Sequence, residues 1–177
     1  VFGLVRAPMA TVAHASALLV VPKPSAVSFA EASTLPVAWG LAHVVLGHAA
    51  LQAGERSVVH AAVGSAGLKA VEYSNWLCAR VLGSAGAPQK HRQLRSVGVE
   101  WLGSLRDTSM FVLGAGSLLA GRRSHAVVNS LSSSFIAPSC ALLCESGSFE
   151  EMGSRGWAPQ RLSAMVAGMS YGSAAFD

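Results

Sequence analysis

The amino-acid sequence predicts an α/β fold, a parallel sheet covered by helices. Three observations carry this. Short strand-like runs alternate with helical patterns through most of the chain, joined by short connections. The stretch Arg56–Gly67, RSVVHAAVGSAG, reads as strand, tight small-residue turn and helix start. No internal repeat or low-complexity linker interrupts the alternation.

Taken in order, residues 1–30 read as extended segments, Ala10–His14 and Ala17–Val21, closed by Pro22-Lys23-Pro24. Ser28 with Glu31 is a capping box for a short helix through Ala32. Pro36 precedes a second helical stretch, Val37–Leu51, with Leu41, Val44, Val45 and Ala49 on its apolar face. The turn Gln52–Glu55 leads into Ser57–His60, an apolar, β-branched run suited to a strand covered on both faces. The helix that follows places Leu68, Val71, Ser74, Leu77 and Cys78 on one side. Arg80–Ser84 is a second strand, Pro88–Val97 a helix stopped by Gly98, and Val99–Leu102 a third strand. Met110–Ala120 is helical although Gly114 and Gly116 weaken it. Ala126–Val128 is a strand, Phe135–Cys144 a helix, and Ser148–Met152 another strand.

Composition narrows the function classes. Hydrophobic residues make up 51% and charged ones 12% of the 177 residues, about half the usual charged share. Such a chain buries much surface against something else or is poorly soluble alone. The net charge of +4 reflects scarce acids. Arg92, Arg95, Arg106, Arg122 and Arg123 are scattered without interleaved aromatics, so no nucleic-acid groove is expected. No apolar run reaches bilayer length; Ala15–Val21 is short and ends at Pro22. Val1 opens the chain without a charged n-region, so no signal peptide is expected and the chain reads as cut from something longer. Three cysteines give no C-x-x-C; Cys140 and Cys144, i and i+4 on the expected helix, read as buried structural thiols. The six histidines lack metal-ligand spacing, and no metal is expected.

The central turn carries the chemistry. Gly64 lets the backbone approach a pyrophosphate, Ser65 adds a side chain close to where it would lie, a tolerable but unhelpful change, and Gly67 lets helix and strand pack closely. The helix N-terminus offers unpaired N–H groups and a positive dipole end to phosphates. Ala62 stands where the first glycine of G-x-G-x-x-G belongs. A Rossmann-like, doubly wound sheet binding a dinucleotide is the expectation; an ordinary tight turn that binds nothing is the alternative. An acidic residue about 20 positions past the turn would take a ribose 2′-OH. Residues Gly83–Arg92 contain no acid. Ser84 can donate a hydrogen bond there, and Lys90 and Arg92 can neutralise a 2′-phosphate, so the expected cofactor is NADPH. The competing reading of that stretch is a solvated basic helix start.

Several motifs occur together in order: ASTLPVAW (Ala32–Trp39), LQAGERSVVHAAVGSAGLKAV (Leu51–Val71), APQKHRQLRSVGVE (Ala87–Glu100), RDTS (Arg106–Ser109), VVNSL (Val127–Leu131) and SFEEMG (Ser148–Gly153). With them the chain resembles the enoyl reductase domain of polyketide synthases and animal-type fatty acid synthases. These belong to the zinc-free, quinone-reductase-like branch of the medium-chain dehydrogenase/reductase superfamily. The resemblance is partial and degenerate. It implies NADPH-dependent reduction of an α,β-unsaturated acyl thioester carried on an acyl carrier protein or within a larger assembly. It also implies that residues 1–25 are the remnant of a GroES-like substrate-binding part and 26–177 the Rossmann-like nucleotide-binding domain. Gly64, Ser65, Gly67, Ser84, Lys90, Asn129 and Ser130 are the implied cofactor-binding residues.

The departures fall where chemistry would sit. A family threonine near the nicotinamide corresponds to Leu41. A lysine proposed as proton donor corresponds to Phe135, and a tyrosine with that role in some reductases to Val12. The family pattern E-[IM]-G-K-x-D becomes Glu151-Met152-Gly153-Ser154-Arg155-Gly156, without lysine or aspartate. The family aspartate before V-x-N-S is His125. No catalytic residue is therefore assigned. Two expectations stand side by side: an impaired reductase, or a non-catalytic structural or interaction element on the same fold.

Overall fold

Strand β3 (Arg56–Val59) lies inside a six-stranded sheet, between β4 (Arg80–Ser84) and β6 (Ser124–Asn129). Beyond β4 lies β5 (Glu100–Gly103); beyond β6 lie β7 (Leu143–Met152) and then β8 (Ser170–Ala174). Every pair is parallel. The structure, a computed structural model, describes residues 1–5, 11–103, 107–131, 133–152, 166 and 168–174, without the side chains of Pro88, Trp101, Leu102 and Ser133. The chain winds from β3 to one edge, returns to β6 and winds to the other edge. That reversal leaves a crevice at the carboxyl ends of β3 and β6.

The apolar runs of the strands are explained by burial on both faces. Val59, Val81 and Val128 join one core with α1 (Phe29–His48), α2 (Ser65–Trp76) and α3 (Pro88–Ser96). Val58, Leu82 and Val127 join the opposite core with α4 (Thr108–Leu119) and α5 (Ile136–Cys140). Neighbouring residues of one strand thus serve two different helix layers. A separate antiparallel pair, β1 (Phe2–Gly3) with β2 (Val20–Val21), precedes α1.

Several expectations are corrected. The capping box at Ser28 and Glu31 is present, yet one helix runs from Phe29 to His48 with Pro36 inside it. Proline removes one backbone hydrogen bond. Buried Ala32 before it, and Ala38, Ala42, Val45 and Leu46 after it, hold the helix together by packing. At 20 residues this helix is long and apolar enough by length and composition to cross a membrane; here it contributes its buried face to the core. Ala17–Leu19 is a 3-10 turn, and only Val20–Val21 is strand. The helix expected over Phe135–Cys144 ends at Cys140, and Cys144 belongs to β7. Ala141 N–H still bonds Ala137 O at 3.0 Å, after which pairing of Leu143 with Ser124 pulls the chain into the sheet. Cys140 and Cys144 therefore do not share a helix face. Strand β8 had no sequence signal.

Candidate nucleotide-binding site

Strand β3 ends in a turn whose geometry demands small residues. Ala61 sits at φ 47°, the left-handed region that costs a residue with a Cβ about 1–2 kcal/mol. Its carbonyl accepts the Gly64 N–H at 2.7 Å. Helix α2 then starts directly under the turn. A Cβ on Gly67 would lie 2.4 Å from Ala61 O and 3.0 Å from Ala62 Cα, so only glycine permits this approach of helix to strand. At Gly64, the N-cap residue, a Cβ would lie 3.2 Å from Ala61 O. Ser65, the first helical residue, is exposed and caps nothing. The first turn of α2 thus presents backbone N–H groups at the crevice, where its dipole favours an anion.

His60 ties this turn together, a role its position at the strand end did not announce. Its ring is completely buried. Nδ1 lies 2.9 Å from Ser84 Oγ and Nε2 lies 2.8 Å from Ser139 Oγ. The Ser139 hydroxyl already donates to Phe135 O at 2.5 Å, so Nε2–H is the donor to Ser139 and Nδ1 accepts from Ser84. Burial holds the imidazole neutral, with its pKa pushed down to about 3. The ring also packs against Phe111 and Phe135.

The Ser84 hydroxyl is buried and donates to His60. Asn129 is likewise fully buried. Its side chain accepts from Leu131 N–H at 3.1 Å and donates to Leu131 O at 3.2 Å, shaping the loop after β6 as an Asx turn. Ser130, half-buried, donates to His60 O at 3.4 Å. Lys90 is exposed at the third position of α3. His91 Nε2 lies 2.9 Å from Ala85 O and anchors that loop. Gly64, Ser65, Gly67, Asn129 and Ser130 thus gather around the ends of β3 and β6, and Lys90 stands beyond the end of β4.

The residues that the resemblance sets against family chemistry are placed as follows. Phe135 is core. Val12 is 75% exposed, and His125 uses Nδ1 to accept the Arg56 N–H at 3.1 Å. Arg106, Gly153, Ser154, Arg155, Gly156 and Trp157 lie outside the described residues. Among the described residues no cluster of three or more His, Cys, Asp or Glu side chains is placed to hold a metal.

No family model matches the chain. Erythronolide synthase EryA2 of Saccharopolyspora erythraea is 36% identical over 156 residues, covering 86% of this chain and 4% of that much longer protein. The crystal structure of the CurK enoyl reductase superposes with a TM-score of 0.84 at 34% identity, covering 92% of this chain. The chain spans 48% of that domain. The nucleotide-binding subdomain of the enoylreductase domain of PpsC from Mycobacterium tuberculosis matches with a TM-score of 0.68 at 27% identity, covering 77% of this chain and 78% of that one. Fold, motifs and these matches place the chain among the relatives of the enoyl reductase domains of polyketide synthases.

Proposed function

We propose that the chain is the nucleotide-binding part of an enoyl reductase and holds NADPH at the turn between β3 and α2. The observation that carries this is the glycine cradle. Gly67 brings α2 so close under Ala61 that its N–H groups reach the crevice. The residues fit the group: Gly64 and Ser65 would face the pyrophosphate, and Lys90 the 2′-phosphate. Asn129 and Ser130 would shape the wall on the β6 side. NADPH, when bound, supplies a hydride for the β-carbon of an unsaturated acyl thioester. The chain's own contribution is to bind and orient; an acyl carrier protein within a larger synthase is the fitting source of the thioester. Residues 1–25 are read as the end of a substrate-binding part.

A second reading rests on Phe135. Where the family places a proton-donating lysine, this chain has an aromatic ring 5.7 Å from Phe111 in the core. Such a side chain delivers no proton to the α-carbon. Loss of a positioned acid costs about 10²–10⁴-fold in rate. A binding or structural role inside the assembly is then what remains. A crotonyl-thioester assay with NADPH separates the readings. The isolated chain is expected to turn over far below ~1 s⁻¹, the low end of ordinary enzymes. Turnover near that value would refute the second reading.

A further inference from the structure

A second depression lies at the opposite end of the sheet from the nucleotide crevice. Because all six strands are parallel, their first residues share one edge. Arg56 opens β3, Arg80 opens β4, and Arg122 occupies the turn between α4 and β6. These three arginines, far apart in sequence, line one hollow of about 300 Å³. Its apolar lining comes from Leu82, Leu118 and Leu119. Glu100 is the one carboxylate among its described lining residues, and it pairs with Arg80. The carboxyl end of α4 adds about half a negative charge. Three guanidiniums against one carboxylate and half a charge leave more than one positive charge uncompensated. Arg56 also donates to Arg123 O at 3.4 Å, which fixes its guanidinium at the rim.

We propose that this hollow binds a phosphate monoester dianion, gripped by Arg56, Arg80 and Arg122 with its organic body over Leu118 and Leu119. Guanidinium forks match phosphate oxygens through paired, charge-assisted hydrogen bonds. The residual charge exceeds one, which favours a dianion over a carboxylate. The site is independent of the nucleotide crevice.

The test uses the full chain and phenyl phosphate, followed by phosphorus NMR and calorimetry, with phenyl sulfate as the monoanionic control. Saturable binding at millimolar concentration is expected, weaker for phenyl sulfate and unchanged in Lys90→Glu. Arg80→Ala/Arg122→Ala should weaken it about tenfold or more. Arg122→Glu, in an exposed turn, should do the same even where the double variant does not fold. Absence of saturation, equal affinity in the Arg122 variant, or loss of binding in Lys90→Glu would each overturn the proposal.

Discussion

The Ser84 hydroxyl donates to His60 Nδ1 across 2.9 Å inside the protein, so the ends of β3 and β4 are latched beneath the nucleotide turn. Removing the hydroxyl leaves a buried acceptor without a partner, a loss of about 1–3 kcal/mol. Ser84→Ala should therefore lower stability in urea denaturation by that amount. It should leave the preference between NADPH and NADH unchanged, because the hydroxyl faces inward.

The same ring sets an acid limit. An imidazole in the unfolded chain takes up a proton near pH 6.5, whereas burial delays this to about 3 in the fold. Unfolding therefore binds a proton between these values. The stabilisation is complete above pH 6.5 and falls, at up to about 1.4 kcal/mol per pH unit, as pH drops towards 3. His60→Phe should flatten this part of the stability profile while being less stable than the parent at pH 7, since Ser84 and Ser139 lose their partner. An unchanged slope would contradict the assignment.

Glu150 should behave in the opposite sense. It is 1% exposed, its Oε2 has no hydrogen-bond partner among the described residues, and His48 Nδ1 is 3.7 Å away. Burial raises its pKa, while the Ser148 hydroxyl and His48 pull it back. The fold then holds a proton that the unfolded chain releases, so this group weakens the protein as pH rises above the ordinary carboxylate range. Glu150→Gln should stabilise at pH 7–8 by about 1–3 kcal/mol and give no gain near pH 4. Thermal melts across that range check it.

Gly67 offers the sharpest steric test. A side chain there meets Ala61 O at 2.4 Å, and overpacking of this kind costs about 1–3 kcal/mol. Gly67→Val should reduce stability and abolish nucleotide binding together. Gly116→Ala, where a Cβ meets nothing within 4 Å, should leave binding unchanged.

Much of this was legible in the sequence where local signals and burial agree. Arg80–Ser84 and Pro88 at the head of α3 fall where strand and proline patterns put them. The strand–turn–helix at Arg56–Gly67 was legible because Gly64 and Gly67 stand where the backbone of Ala61 leaves little or no room for a side chain. Long-range effects were not. Pro36 reads as a break, but packing on both sides overrides it. Strand β8, Ser170–Ala174, has no apolar run because it is an edge strand. Its Gly172 makes room for the Glu150 carboxylate, which would lie 2.2 Å from a Cβ there. The inward turn of Ser84 depends on His60, 24 residues away, and no spacing rule reveals such a pairing.

The central claim is that the crevice above α2 takes NADPH, with Lys90 on its 2′-phosphate. The most direct measurement is a calorimetric titration of the chain and of Lys90→Glu with NADPH and NADH. Saturable NADPH binding, tighter than NADH, is expected, with a loss of about 1.5–3 kcal/mol for NADPH in Lys90→Glu and NADH little affected. No binding of either dinucleotide, or equal affinities that the substitution leaves alone, would contradict it.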